Sequence, residues 1–168
     1  QTSLLEHLDV SQLTCLNENG EHTLKSIVGD RKRNTSSAYL ESDVDEQLLL
    51  NVTFNQTTRI RALALQTKPE HAAQAPARIK LILNRPTLGF DDVDDSGVVQ
   101  ELELTPEQVR DGKPVPLRFV RFQAVNTLHI FVESNQGGEE QTRIDAIDVF
   151  GTPVVGTRDL SGLRKAEE

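Results

Sequence analysis

Three short runs near the C-terminal end, residues 115–123, 127–133 and 143–151, constrain this chain more than any other feature. Each is rich in Val, Ile and Phe and is bounded by Asn, Gly or Pro, which is the composition and length of β-strands. Together they hold Phe119, Phe122, Phe131 and Phe150 of the chain's six phenylalanines. In the middle run Leu128, Ile130 and Val132 alternate with His129, Phe131 and Glu133, so one face is apolar throughout. The segment between the last two runs is polar, acidic and Gly-containing, and too polar to be core. A buried meander carrying an exposed charged loop is the pattern of a β-domain that presents loops to a partner.

The alternation recurs upstream. Leu48, Leu50, Val52 and Phe54 face one way and Asn51, Thr53 and Asn55 the other, which predicts a half-buried strand of an antiparallel sheet. Residues 24–28, 58–66, 78–84 and 98–104 are predicted as further strands, with Ile79, Leu81 and Leu83 turned inward. Thr105, Pro106 and Glu107 read as a helix start with Pro in the first turn, stopped by Asp111 and Gly112. Ahead of residue 17, Leu4, Leu5, Leu8, Leu13 and Leu16 allow a short helical turn or an apolar strap. About eight or nine short strands with one or two helical turns predict an all-β antiparallel sandwich. Phe54, Phe122, Ile130 and Val132 belong to its core, and residues 157–168 are expected to be a flexible tail.

A chain of 168 residues can bury one sizeable core, and nothing in it asks for two. No apolar run approaches the roughly 20 residues that cross a bilayer, so no membrane partner is expected. The net charge of -8 opposes nucleic acid and anionic lipid as partners and favours a monomer. The sequence begins at Gln1 without an initiator Met or a signal-like pattern, and a fragment of a longer protein is expected. Cys15, the one cysteine, can form no internal disulfide; it predicts a reducing compartment and a small buried side chain. The sequons at Asn34, Asn51 and Asn55 read as chance, since Asn51 lies inside a predicted strand.

Chemistry-bearing motifs are few. Asp92, Asp94, Ser96, Gly97 and Glu103 have the spacing of a calcium loop, but Pro86 and Gly89 break the approach and a strand follows, whereas such a loop needs flanking helices. A solvated acidic loop is the better reading. His7, His22, His71 and His129 are scattered and share no metal-ligand spacing with Cys15. No Gly-x-Ser-x-Gly elbow and no Cys-x-x-Cys pair is present, so neither a local hydrolase signature nor dithiol chemistry is written in the chain. No cofactor or metal is expected. Arg143, near several carboxylates, reads as a structural ion pair rather than a catalytic group.

Taken in order, several segments resemble the PITH domain, the C-terminal module of thioredoxin-like proteins. They are residues 15–18, 40–43, 45–49, 54–56, 102–105, 115–118 with Val120, Phe122 and Gln123, then Phe131 and Val132, 134–137 with Glu139 and Glu140, 142–144, and 151–154. The resemblance runs from about Leu8 to Val155 and makes residues 1–156 one PITH-like domain. It implies a jelly-roll sandwich of the galactose-binding-like kind without catalytic activity, docking on the regulatory particle of the 26S proteasome in cytoplasm and nucleus. In longer family members an N-terminal thioredoxin domain carries the Cys pair; shorter members lack that domain.

The leading expectation is therefore a protein-interaction module that brings a disulfide reductase to the proteasome. Its candidate contact residues are Glu41, Asp43, Asp45 and Glu46 in one turn, Asn135, Gln136, Glu139, Glu140 and Arg143 in another, and Thr152 and Pro153 near the end. The alternative is a small-ligand or carbohydrate-binding module, since galactose-binding-like sandwiches often hold a sugar in loops at one end. Such sites usually present an aromatic platform, and with no Trp and a single Tyr, Tyr39, the chain favours a protein partner.

Overall fold

The computed structural model describes residues 2–154, so the flexible tail expected over 157–168 lies outside the described residues. In chain order the elements are β1 (Thr2–Ser3), β2 (Thr14–Leu16), α1 (Leu24–Val28), β3 (Leu40–Glu41), β4 (Leu48–Gln66), β5 (Arg78–Leu83), β6 (Gln100–Glu103), α2 (Pro106–Asp111), β7 (Val115–Pro116), β8 (Val125–Val132), β9 (Arg143–Ile144) and β10 (Ala146–Pro153). Hydrogen bonding runs β1-β10-β4-β8-β5-β6, with β2 and β7 also on β4, and every pairing is antiparallel. β3 and β9 form a separate pair.

The strand β4 explains how one hydrogen-bonded array becomes a sandwich. Straight, its 19 residues would extend about 60 Å. Yet Leu48 pairs with Val132 and Gln66 pairs with Ala146, and the segments that follow and precede those partners are tied together through Asn135 and Thr142. Both ends of β4 thus reach the same end of the molecule, and the strand bends between Thr53 and Thr58, where its register to β8 shifts. The two strands expected over 48–55 and 58–66 are the two limbs of this one strand. Leu48, Leu50 and Val52 on the first limb and Ile60, Leu63 and Leu65 on the second are all within one buried cluster. Leu128, Ile130 and Val132 of β8, Ile79 and Leu81 of β5, and Ile147 and Val149 of β10 complete it. Phe54, Ile130 and Val132 are buried as the alternation requires, and Phe122 is buried as expected although it follows a turn rather than lying in a strand.

Two predicted strands are corrected. Residues 24–28 form α1: Leu24, Ile27 and Val28 are buried at helical spacing, and the Thr23 hydroxyl accepts from the Ser26 N–H to cap the turn. Residues 115–123 do not run as one strand. β7 stops at Pro116, and Phe119–Arg121 coil into a 3-10 turn that leaves Leu117 and Phe122 buried and lifts the residues between them outward. The helix expected after Thr105 is α2, with a reciprocal cap between Thr105 and Gln108 and a left-handed Gly112 at its end. No helix among the described residues is long and apolar enough to cross a membrane.

The outer face of the β4–β8–β5 layer is divided. The loop after β5 lays Leu88, Phe90, Val93 and Val98 over Leu49, Ile82 and Phe131 as a second small core. Beside it Asn51, Thr53 and Thr127 stay half-exposed, while His129 on the same face is buried.

Candidate functional site

Polar residues that are far apart in sequence meet at the end of the sandwich where β4 both begins and finishes. β3 pairs with β9, which sets Glu41 opposite Arg143 and brings the turn 41–47 against the loop 134–143. The join is dense. Ser42 N–H donates to the Thr142 carbonyl (2.9 Å), Thr142 N–H to the Ser42 hydroxyl (2.8 Å), and the Thr142 hydroxyl to the Glu46 carbonyl (2.6 Å). Asn17, held at φ 69°, donates from its amide to the Asp45 carboxylate and the Gln47 carbonyl and accepts from the Val44 N–H. Loops fixed by this many contacts lose little freedom on meeting a partner.

Of the candidate residues, three are turned into this framework. Asn135 is buried; its amide donates to the Glu139 and Gln141 carbonyls and to the Thr142 hydroxyl, and its oxygen accepts from the Glu139 N–H. Gln136 donates to the Pro76 and Leu104 carbonyls, joining the loop to β6. Arg143 is buried in a two-bonded ion pair with Asp145 (3.0 and 3.1 Å), and its guanidinium lies 3.5 Å from the Tyr39 ring centre. Tyr39 in turn stacks on His22 at 4.0 Å. The ion pair read from the sequence for Arg143 is thus present, and these three side chains hold the loops in shape.

Four of the candidates at this end are exposed. Asp43, Asp45, Glu139 and Glu140 face solvent, and Glu41 is half-buried, accepting from the Gln74 amide. Between the first two acids stands Val44, 82% exposed, an apolar side chain that nothing in the sequence of the turn sets apart. Gln141 donates to the Asp43 carbonyl and so links the two acidic groups directly. Thr152 and Pro153 are not part of this end. They pair with Arg59 and Thr58 near the bend of β4, at the opposite end of the sandwich.

Two other features carry chemistry-bearing residues. In the acidic loop, the Asp92 carboxylate accepts from the Gly89 N–H, Asp94 accepts from Ser96 and the Gly97 N–H, and Glu103 faces Arg78. The Ser96 hydroxyl, first among these, holds the Asp94 carboxyl below its usual range. The carboxylates are turned to their own turns rather than toward a common centre. The uncovered outer face forms a cleft of about 580 Å³ around Gln12, Thr14, Asn51, Arg85 and His129. There the Arg85 N–H donates to His129 Nε2 (3.1 Å), which places the ring proton on Nδ1, donating to Asn51 (2.6 Å). Burial first, then the charge of Arg85, push this imidazole down to about 4. The ring is neutral and fully bonded, and no Phe or Tyr lines the cleft as a platform for a sugar. Cys15 is buried with its thiol pushed up by desolvation and then by Glu18, which suits packing and not nucleophilic chemistry.

Comparison with known proteins adds an ancestry to this geometry. Thioredoxin-like protein 1 of Schizosaccharomyces pombe is 38% identical over 167 residues, covering 98% of this chain and 56% of that protein. PITH domain-containing protein 1 of Xenopus laevis is 31% identical over 149 residues, covering 88% of this chain and 69% of that protein. The chain therefore spans little more than half of the first relative and about two thirds of the second. Among solved structures, the family 32 carbohydrate-binding module of Clostridium perfringens NanJ in complex with galactose superposes with a TM-score of 0.63 at 10% identity, covering 88% of this chain and 97% of that one. The lectin domain of lectinolysin complexed with Lewis B antigen gives 0.52 at 9%, covering 84% and 92%. At such identities the likeness is one of fold, and it establishes the galactose-binding-like jelly roll. The PITH domain model matches residues 1–168, and by that match over its whole length the chain belongs to the PITH domain family.

Proposed function

We propose that this domain is a non-catalytic interaction module that docks a thioredoxin-like protein onto the regulatory particle of the 26S proteasome, in cytoplasm and nucleus. The observation that carries the reading is the fixed acidic end, where two loops about a hundred residues apart are bonded into one surface that displays Asp43, Val44, Asp45, Glu139 and Glu140. A preformed apolar point ringed by carboxylates suits a basic protein surface: the charges speed encounter, and the valine gives the contact a dry centre. The thioredoxin-like name of the yeast relative supplies the cargo in this reading. The single buried Cys15 has no second thiol with which to complete disulfide exchange, so reduction would fall to another part of the parent protein. A sugar-binding reading draws on the fold of its neighbours alone.

The test is charge reversal at the exposed acids. Glu139→Lys with Glu140→Lys, and separately Asp43→Lys with Asp45→Lys, are compared with the parent for melting temperature and for co-sedimentation with purified 26S particles. Unchanged melting with lost co-sedimentation is expected. Co-sedimentation unaltered in both double variants would remove the acidic end from the docking surface.

A further inference from the structure

The end of the sandwich opposite the acidic loops is built with the reverse charge. Leu117 N–H donates to the Arg61 carbonyl (2.9 Å) and Ile60 N–H donates to the Phe122 carbonyl (3.0 Å), so the intervening turn is pinned at both feet to neighbouring positions of β4. The turn stands out beside Arg59 and Arg61, with Arg118, Val120 and Arg121 exposed on it and Val120 at 81% exposure. Arg118 is the N-cap of the 3-10 turn and Arg121 its last residue, and the Arg121 N–H donates to the Arg118 carbonyl (2.8 Å), which keeps the two close along the chain. Among the described residues none of these four arginines lies within ion-pair distance of a carboxylate, although the chain as a whole carries -8. Elsewhere Arg78 and Arg110 are matched by acids on their own strand pair or helix, and the exposed Arg31 and Arg85, likewise without a carboxylate partner among the described residues, lie on two separate loops.

One of the four is already held for use. The Arg61 guanidinium carbon lies 3.9 Å from the centre of the Phe119 ring. Stacking occupies the flat face of a guanidinium and leaves its N–H edge free, the edge that grips a carboxylate with two parallel bonds. Aromatic and arginine side chains around an exposed aliphatic residue are also the composition of a protein contact rather than of a phosphate track. A polyanion such as RNA would meet the repulsion of the whole acidic domain along its length, whereas a short acidic segment would meet only this end.

We infer that Arg59, Arg61, Arg118 and Arg121 with Val120 form a second docking surface that takes a short acidic protein segment bearing aliphatic side chains. This surface is separate from the acidic end and can fail or stand without it. The probe is a fluorescein-labelled peptide of alternating Glu, Asp and Leu, followed by polarisation on the intact chain. Binding is expected to weaken as added salt shortens the Debye length from about 10 Å to about 3 Å, and a Gln-for-Glu peptide should not bind. Arg118→Glu with Arg121→Glu should weaken the peptide at least about tenfold with melting unchanged, and Val120→Ser by a smaller factor. Lys25→Glu with Lys32→Glu, equal in charge change but placed on α1 and the loop after it, should leave binding near the parent's. Equal losses in the two double variants would reduce the effect to net charge and overturn the site. Tighter binding of poly(U) than of the peptide, lost in Arg118→Glu with Arg121→Glu, would overturn the choice of partner.

Discussion

His129 is the residue whose chemistry departs furthest from what a lone histidine in a strand announces. It is 2% exposed, bonded on both ring nitrogens, and held neutral by burial with its pKa pushed down to about 4. The unfolded chain, with an ordinary imidazole near 6.5, takes up a proton across the interval in which the folded chain refuses it. Stability contributed by this group is therefore whole above about pH 6.5 and falls by roughly 3 kcal/mol as pH drops toward 4. Urea unfolding at neutral and acid pH should show a smaller loss on acidification in His129→Gln than in the parent. The same loss in both would assign the acid sensitivity to carboxylates alone. The sequence shows His129 on the polar face of its strand but not that Arg85 and Asn51 would close over it. Asn135 and Gln136 teach the same lesson: polar residues in a turn read as solvent-facing, while their inward direction is decided by carbonyls of Pro76, Leu104 and Glu139 brought near by the fold.

At the scale of elements, pattern was legible where one face is buried over several residues and illegible where the chain bends. The inward sets of the first limb of β4, of β5 and of residues 128–132 on β8 follow their alternation, whereas on the second limb of β4 the phase breaks between Ile60 and Leu63. Residues 24–28 carried a helix signal in the spacing of Leu24, Ile27 and Val28 behind Thr23, but one turn of helix and one short strand have nearly the same composition. The bend of β4 and the turn at Phe119–Arg121 depend on what packs across the sandwich, which local sequence does not state. The irregularity between β10 and β4 is a further case. Register shifts between Phe150 and Gly151, and a Cβ at 151 would collide with the Arg59 carbonyl oxygen. Since that neighbour is backbone, Gly151→Ala must separate the strands, at about 1 to 3 kcal/mol. A urea midpoint equal to the parent's would mean that the two backbones part without strain.

For the whole molecule, the two layers share one core because they share a strand. Ile130 on β8 and Phe122 beside the second limb of β4 are both fully buried in the same cluster, together with Ile60 and Val149. Were the layers joined by a loop, loosening one could leave the other intact; a continuous β4 gives no such seam. Truncating either residue should therefore act on the single unfolding transition of the entire domain. Phe122→Ala is expected to lower stability by about 3 to 5 kcal/mol and Ile130→Ala by about 2 to 5, large fractions of the roughly 5 to 15 kcal/mol of an ordinary domain. Each variant should still unfold in one step, with circular dichroism and the exposure of Cys15 to a thiol reagent giving the same midpoint, since Cys15 reports the β2 side of the first layer. The measurement also bears on function, because the acidic end is fastened to both limbs of β4 and the basic turn to its second limb. Two separated midpoints in Phe122→Ala would show that the layers melt apart, and the two charged ends could then not be treated as one rigid body.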